Sequence, residues 1–117
     1  MNWPKHVNVC GIPYRLVFTD SMIETDVNRY QALWGQCDEH ERTIRVFRGR
    51  RKRRRSNADM LCTLLHEFGH AILGASPALR RMAAKGKWTD EDFIDEYAQR
   101  MADTLIRNQL VRVETHR

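Results

Sequence analysis

His66, Glu67 and His70 stand in the stretch TLLHEFGHAILG, residues 63–74. Side chains four apart on an α-helix lie one above the other on one face. Two imidazoles so placed converge on one cation, and zinc favours neutral imidazole nitrogen. Glu67 stands about 100° round the helix from His66, where it reaches a water instead of the ion. Two ligands and a general base on one turn are the parts of a zinc-dependent peptidase that works through activated water. The pattern would carry no chemistry if both histidines were surface or capping residues. Apolar residues flank it on both sides, however, and an uncompensated ionisable cluster is costly there. Gly69 costs about 1 kcal/mol in a helix interior relative to alanine, which points to close packing at that position.

Catalytic zinc sites use three protein ligands. The extension HExxHxxGxxH fails here, because Leu73 occupies the glycine position and Ser76 the last histidine position. The other solution is a carboxylate from a following helix. Glu91 and Glu96 are the candidates, with Asp92 and Asp95 behind them. The apolar face of that helix centres on Ile94, Ala98, Ala102 and Leu105, and helix phase puts Glu91 and Asp95 on its flank. Glu96 points nearly away from it. The expectation is Glu91 as third ligand and Asp95 as the group that orients a histidine from behind. Glu96 stays open as the rival, because helix boundaries read from sequence carry errors of about 2–4 residues. Asp90 and Asp92 read as complements to the helix dipole.

With these residues in view, the chain resembles the gluzincin-type zinc metallopeptidases. TLLHEFGHAILG followed by EDFID is similar to their HExxH helix and their Glu-x-x-x-Asp helix. It resembles most the small ImmA/IrrE-type metallopeptidase-like proteins of phages and mobile elements, in which a short sheet with a hairpin like WGQCDEHERTIRVF precedes TLLHE. The likeness spans most of residues 7–108, and the HExxH part carries its specificity. It implies a minimal zincin-like α+β fold with the sheet above the active helix. It implies His66, His70 and Glu91 as Zn2+ ligands and Glu67 as base. It also implies an edge strand, residues 43–47, that holds an extended peptide substrate by backbone pairing. Tyr97, Tyr30, Arg80 and Arg81 are candidate donors to the oxyanion. His6, His40 and His116 have no partner spacing and read as solvated or structural.

RGRRKRRR poses a separate question. Arg48, Arg50, Arg51, Lys52, Arg53, Arg54 and Arg55 carry seven positive charges, and subtracting them from the net charge of +5 leaves −2. A run of like charges reads first as a solvated loop. As a functional element it binds nucleic acid through phosphates, or an acidic protein. No aromatic residue lies inside the run, which argues against base stacking there. A metallopeptidase is therefore one reading of the chain. A non-catalytic zinc domain that binds nucleic acid or an acidic partner through its arginines is the alternative. A basic adaptor without metal is a third, and it makes the HExxH spacing a coincidence.

The elements that must position these groups follow from pattern. Residues 5–47 read as a small, mostly antiparallel sheet. Val7 and Val9 alternate into a turn at Gly11-Ile12-Pro13, and a return strand covers 14–18. Residues 20–28 are polar. A strand over 32–37 carries a possible bulge at Gly35. Asp38 to Glu41 is turn-like, and 43–47 is a β-branched return strand. The basic loop covers 48–55. An HExxH helix over 57–74 starts from Ser56 or Asn57 and is stopped by Gly74 and Pro77. Residues 78–88 read as one helical turn and a loop. Thr89 with Asp90 to Asp92 opens a last helix over 89–108.

At 117 residues and 42% hydrophobic, the chain is sized for one domain with its own core. No segment reads as a leader, and none approaches the roughly 20 apolar residues of a membrane span, so the expectation is a cytoplasmic protein with no membrane partner. Cys10, Cys37 and Cys62 are odd in number and widely spaced, and read as buried reduced thiols.

Overall fold

The computed structural model describes residues 3–21, 23–24, 32–86 and 90–108. The chain is α+β. The strands are β1 (His6–Val9), β2 (Ile12–Thr19), β3 (Ile23–Glu24), β4 (Ala32–Leu33), β5 (Gly35–Asp38), β6 (Thr43–Phe47), β7 (Gly49–Arg50) and β8 (Arg53–Arg54). The helices are α1 (Asn57–Ala75), α2 (Pro77–Lys85) and α3 (Asp90–Arg107).

The main sheet has the order β1-β2-β6-β5. β1/β2 and β5/β6 are antiparallel, as the alternation predicts, but the central β2/β6 ladder is parallel. The sheet is therefore mixed. The chain leaves β2, crosses over through residues 20–42, and returns with β6 running in the same direction. This order also corrects the edge. Residues 43–47 are an inner strand, with Ile44 and Val46 at 0% exposure, and β5 is the edge on that side.

The first turn lies one step earlier than expected. Val9 pairs with Ile12, so the turn residues are Cys10 and Gly11, both at positive φ (52° and 81°). Positive φ at both central residues is the turn geometry that suits the twist of a tight hairpin. Pro13 is already in β2. Arg15 N donates to Arg42 O and Leu16 N to Lys5 O, so the Pro13 nitrogen faces the β6 side, where the ladder begins only at Arg15. No ladder hydrogen bond is lost there. Cys10 sits exposed in this turn, contrary to the buried reading, while Cys37 and Cys62 are half-buried and all three are free thiols.

α1 begins at Ser56, whose Oγ accepts from the Asp59 N–H at 3.0 Å. Its residues Met60, Leu64 and Ala71 pack on the sheet with Val9, Tyr14, Leu16, Ile44 and Val46. Glu67 stands on the same stripe. Ser76 then closes α1 and caps α2, accepting from Leu79 N at 3.3 Å. Pro77 fits the first turn of a helix, so α2 is a nine-residue helix where a single turn and a loop were expected. The polar stretch 20–28 includes β3, paired with β4, and its residues 22 and 25–28 lie outside the described residues. So does Thr89, the expected cap of α3.

α3 packs on α1 through Ile94, Ala98 and Ala102, all buried. The crossing is closest at Gly69, where an added Cβ would lie 2.8 Å from Ile94 Cγ2. Gly69→Val is therefore expected to destabilise the fold by about 1–3 kcal/mol through overpacking, read as a lower urea midpoint. It should also weaken metal binding, because it pushes α3 off the turn that carries the histidines. A midpoint equal to that of the wild type would show that this contact is not tight.

Candidate metal centre

Helix phase divides the HExxH turn between two neighbours. His66 and His70 are half-buried and face α3, whereas Glu67 faces the sheet and is 5% exposed. The two imidazole rings lie 5.0 Å apart, edge to face. One carboxylate from the first turn of α3 spans them: Glu91 Oε1 is 2.6 Å from His70 Nε2, and Oε2 is 3.2 Å from His66 Nε2. Asp95, one turn along, places Oδ1 3.5 Å from His66 Nδ1. Ligand atoms of His66, His70 and Glu91 lie within 4.8 Å of one another, a group that could hold a metal ion. The donor set of two imidazole nitrogens and a carboxylate suits zinc or another borderline divalent cation. Glu96 turns away and pairs with Arg100 at 2.9 Å.

Glu67 is held from the other side by β5. Cys37 donates its backbone N–H to the Glu67 carboxylate. The approach depends on Gly35, where an added Cβ would lie 2.6 Å from Thr63 Cγ2 and 2.8 Å from Glu67 Oε2. The sequence suggested a bulge at Gly35. The structure gives a regular ladder position opposite Val46, with the missing side chain making room for the base. Sequence reading missed this support, and the one signal for it was a glycine inside a strand.

Burial pushes the Glu67 carboxyl up to about 8. The charge of Glu91 adds to the shift, and the Cys37 hydrogen bond opposes it. The unfolded value is 4.5. Between 4.5 and about 8 the folded metal-free chain keeps a proton that the unfolded chain has released. The stability tied to that proton is full below 4.5 and is lost as pH rises through about 8. In chelator, Glu67→Gln should therefore gain on the wild type with rising pH. The gain from pH 5 to pH 8.5 should be on the order of 2–5 kcal/mol, at about 1.4 kcal/mol per unit. Urea unfolding of both proteins at the two pH values measures it, and a pH-independent difference would contradict it. Burial also pushes the Cys37 thiol up to about 11, with Glu67 and Glu39 adding to the shift, so this cysteine is a protonated neighbour of the site.

Other expected residues lie elsewhere. Tyr97 is 42% exposed and stacks on Phe93, and Arg80 and Arg81 are exposed on α2. None of the three hydrogen-bonds to the cluster among the described residues. Tyr30 and His116 lie outside those residues. His6 and His40 are exposed and are not part of the metal-binding group.

The basic run is exposed at six of its seven cations, as a solvated segment would be, but it is not a plain loop. β7 and β8 form a small antiparallel hairpin over 49–54. Gly49 adopts φ +94°, and the surrounding backbone leaves no space there for a side chain. Asp20 accepts from Arg48 Nε at 2.5 Å and from Arg54 at 2.6 Å, and the two guanidinium groups hold its carboxyl far below the usual range. Arg55 donates to Phe47 O at 2.7 Å and to Thr63 Oγ1 at 2.7 Å, and lies over the Trp34 ring at 4.5 Å. Three of the seven cations thus have structural partners.

Among the described residues, no helix is long and apolar enough to cross a membrane. No family model, curated protein or solved structure matches the chain.

Proposed function

We propose that the protein is a zinc-dependent metalloendopeptidase with His66, His70 and Glu91 as ligands and Glu67 as general base. One observation carries the reading. The carboxylate beside the ligand histidines is buried against an edge strand, and a site that only held metal for folding would have no use for it there.

A divalent cation at the cluster would supply Lewis acidity and lower the pKa of a water at the site, and its charge would favour the ionised form of Glu67 that the metal-free chain keeps protonated. Glu67 takes a proton from the attacking water and delivers it to the leaving amide nitrogen, while the hydroxyl oxygen joins the carbonyl carbon and the C–N bond breaks. Asp95 orients His66 through Nδ1. β5 ends the sheet, so a peptide laid along it by backbone pairing passes beside Glu67. This takes over the substrate-holding role that the resemblance implied for residues 43–47.

The test is metal analysis of the purified protein together with hydrolysis of unfolded casein. One zinc per chain is expected, with hydrolysis lost in chelator and recovered on adding zinc. Zinc without hydrolysis would leave the non-catalytic zinc domain. Absence of bound metal after zinc loading would end both readings.

A further inference from the structure

A concave surface lies at the opposite end of α1 from the end that leads into α2. A groove of about 750 Å³ runs between the β7–β8 hairpin and the start of α1, lined by Trp34, Phe47, Arg50, Arg53, Arg54 and Arg55 among others. Its size is within the range of about 300–1,000 Å³ found for ligand pockets. Its cations are of two kinds. Arg54 and Arg55 are engaged by Asp20, backbone carbonyls and Thr63. Arg50, Arg51, Lys52 and Arg53 are exposed at the hairpin tip, and no carboxylate pairs with them among the described residues.

The aromatic component comes from outside the basic run. Trp34 sits between β4 and β5, and its carbonyl accepts from Phe47 N at 2.8 Å, which brings it beside the strand that leads into the hairpin. The Phe47 ring meets it edge-on at 5.8 Å, and the Arg55 guanidinium covers one face. Trp34 as a residue remains 53% exposed, one of the large exposed apolar side chains among the described residues. A fixed, half-open indole beside unpaired cations offers a base a stacking surface and its phosphates a set of counter-charges.

We propose that this groove binds single-stranded nucleic acid, with Trp34 as the stacking platform and Arg50, Arg51, Lys52 and Arg53 as phosphate contacts. A base within a duplex is already stacked on both faces and cannot use the ring, so the surface discriminates against duplex. An acidic peptide matches the charge but leaves Trp34 unused. The groove contains Ser56, and His66 lies ten residues along α1, about 15 Å away at 1.5 Å per residue. The two sites are therefore separate, and binding here does not depend on the peptidase reading.

The experiment is fluorescence anisotropy of a labelled oligo(dT) 20-mer with the full chain across a salt series, competed by a duplex of equal length and by polyglutamate. Binding is expected to weaken with salt, and Arg50→Ala/Arg53→Ala should flatten the log–log slope by about 1.4, at about 0.7 per phosphate contact. Arg15→Ala/Lys85→Ala, with the same loss of charge elsewhere, should leave the slope unchanged. Trp34→Ala should weaken binding about 5–100-fold without changing the slope, and Trp34→Phe should retain most of the affinity. Oligo(dT) should also quench tryptophan fluorescence in the wild type and not in Trp34→Phe, which decides the matter if Trp34→Ala does not fold. Equal affinity for duplex, stronger competition by polyglutamate, an equal effect of the Arg15/Lys85 pair, or quenching that survives Trp34→Phe would each overturn the proposal.

Discussion

Glu67→Gln should lose about 10²–10⁴-fold in hydrolysis of an unfolded protein substrate while still binding one zinc per chain. Glutamine keeps the shape of the side chain and an oxygen that accepts from Cys37 N–H. It cannot take a proton. The substitution also removes a buried carboxyl whose ionisation is opposed by its surroundings, so the variant should fold at least as well as the wild type at neutral pH. Loss of activity with intact metal content and an unchanged or raised urea midpoint separates a catalytic role from a structural one. Hydrolysis at the wild-type rate would remove Glu67 from the mechanism.

Glu91→Ala should cost more zinc affinity than any other single carboxylate change. Its two oxygens stand against both histidine Nε2 atoms, so alanine removes one of three donors. Asp95→Ala removes only the group behind His66, and a loss of about 10–100-fold is expected there. Glu91→Ala should exceed that. Glu96→Ala should leave zinc affinity alone, since Glu96 is committed to Arg100 on the outer face of α3. Titration against a chromophoric zinc chelator ranks the three. A greater loss in Glu96→Ala than in Glu91→Ala would mean that α3 is rotated relative to α1.

The helices were legible for physical reasons. Ser56 supplies the cap, apolar residues recur at 3.6-residue spacing, and these two signals place α1 closely. Phase alone put Glu91 and Asp95 toward α1 and Glu96 away from it, and the structure has them so. The sheet was less legible. Local hairpins announce themselves through turns and alternation, but nothing in residues 12–19 or 43–47 says that these strands pair with each other in parallel. That pairing is set by shared burial against α1. The hairpin within the basic run was not legible, because the acid that holds Arg48 and Arg54, Asp20, is 28 residues from Arg48. Trp34 was overlooked as part of a groove for the same reason, since β5 and β6 must pair before it meets Phe47 and Arg55. At Ser76-Pro77 the pattern signals the end of α1, but the same pair is also the cap and first turn of α2.

The parallel β2/β6 ladder has a consequence for synthesis on the ribosome. β1 and β2 close a two-residue turn and can pair within microseconds of emerging. Their inward side chains Val9, Tyr14 and Leu16 reach Ile44, Val46, Met60, Leu64 and Ala71 only when β6 and then α1 are made. At about 5–20 residues per second, the stretch from Leu16 to Leu64 takes roughly 2–10 s to appear. For that interval the nascent chain carries an apolar hairpin face whose β2 edge awaits a parallel neighbour. The first hairpin is thus the part of the molecule most exposed to mispairing with other chains, and every described group of the metal centre is translated after it.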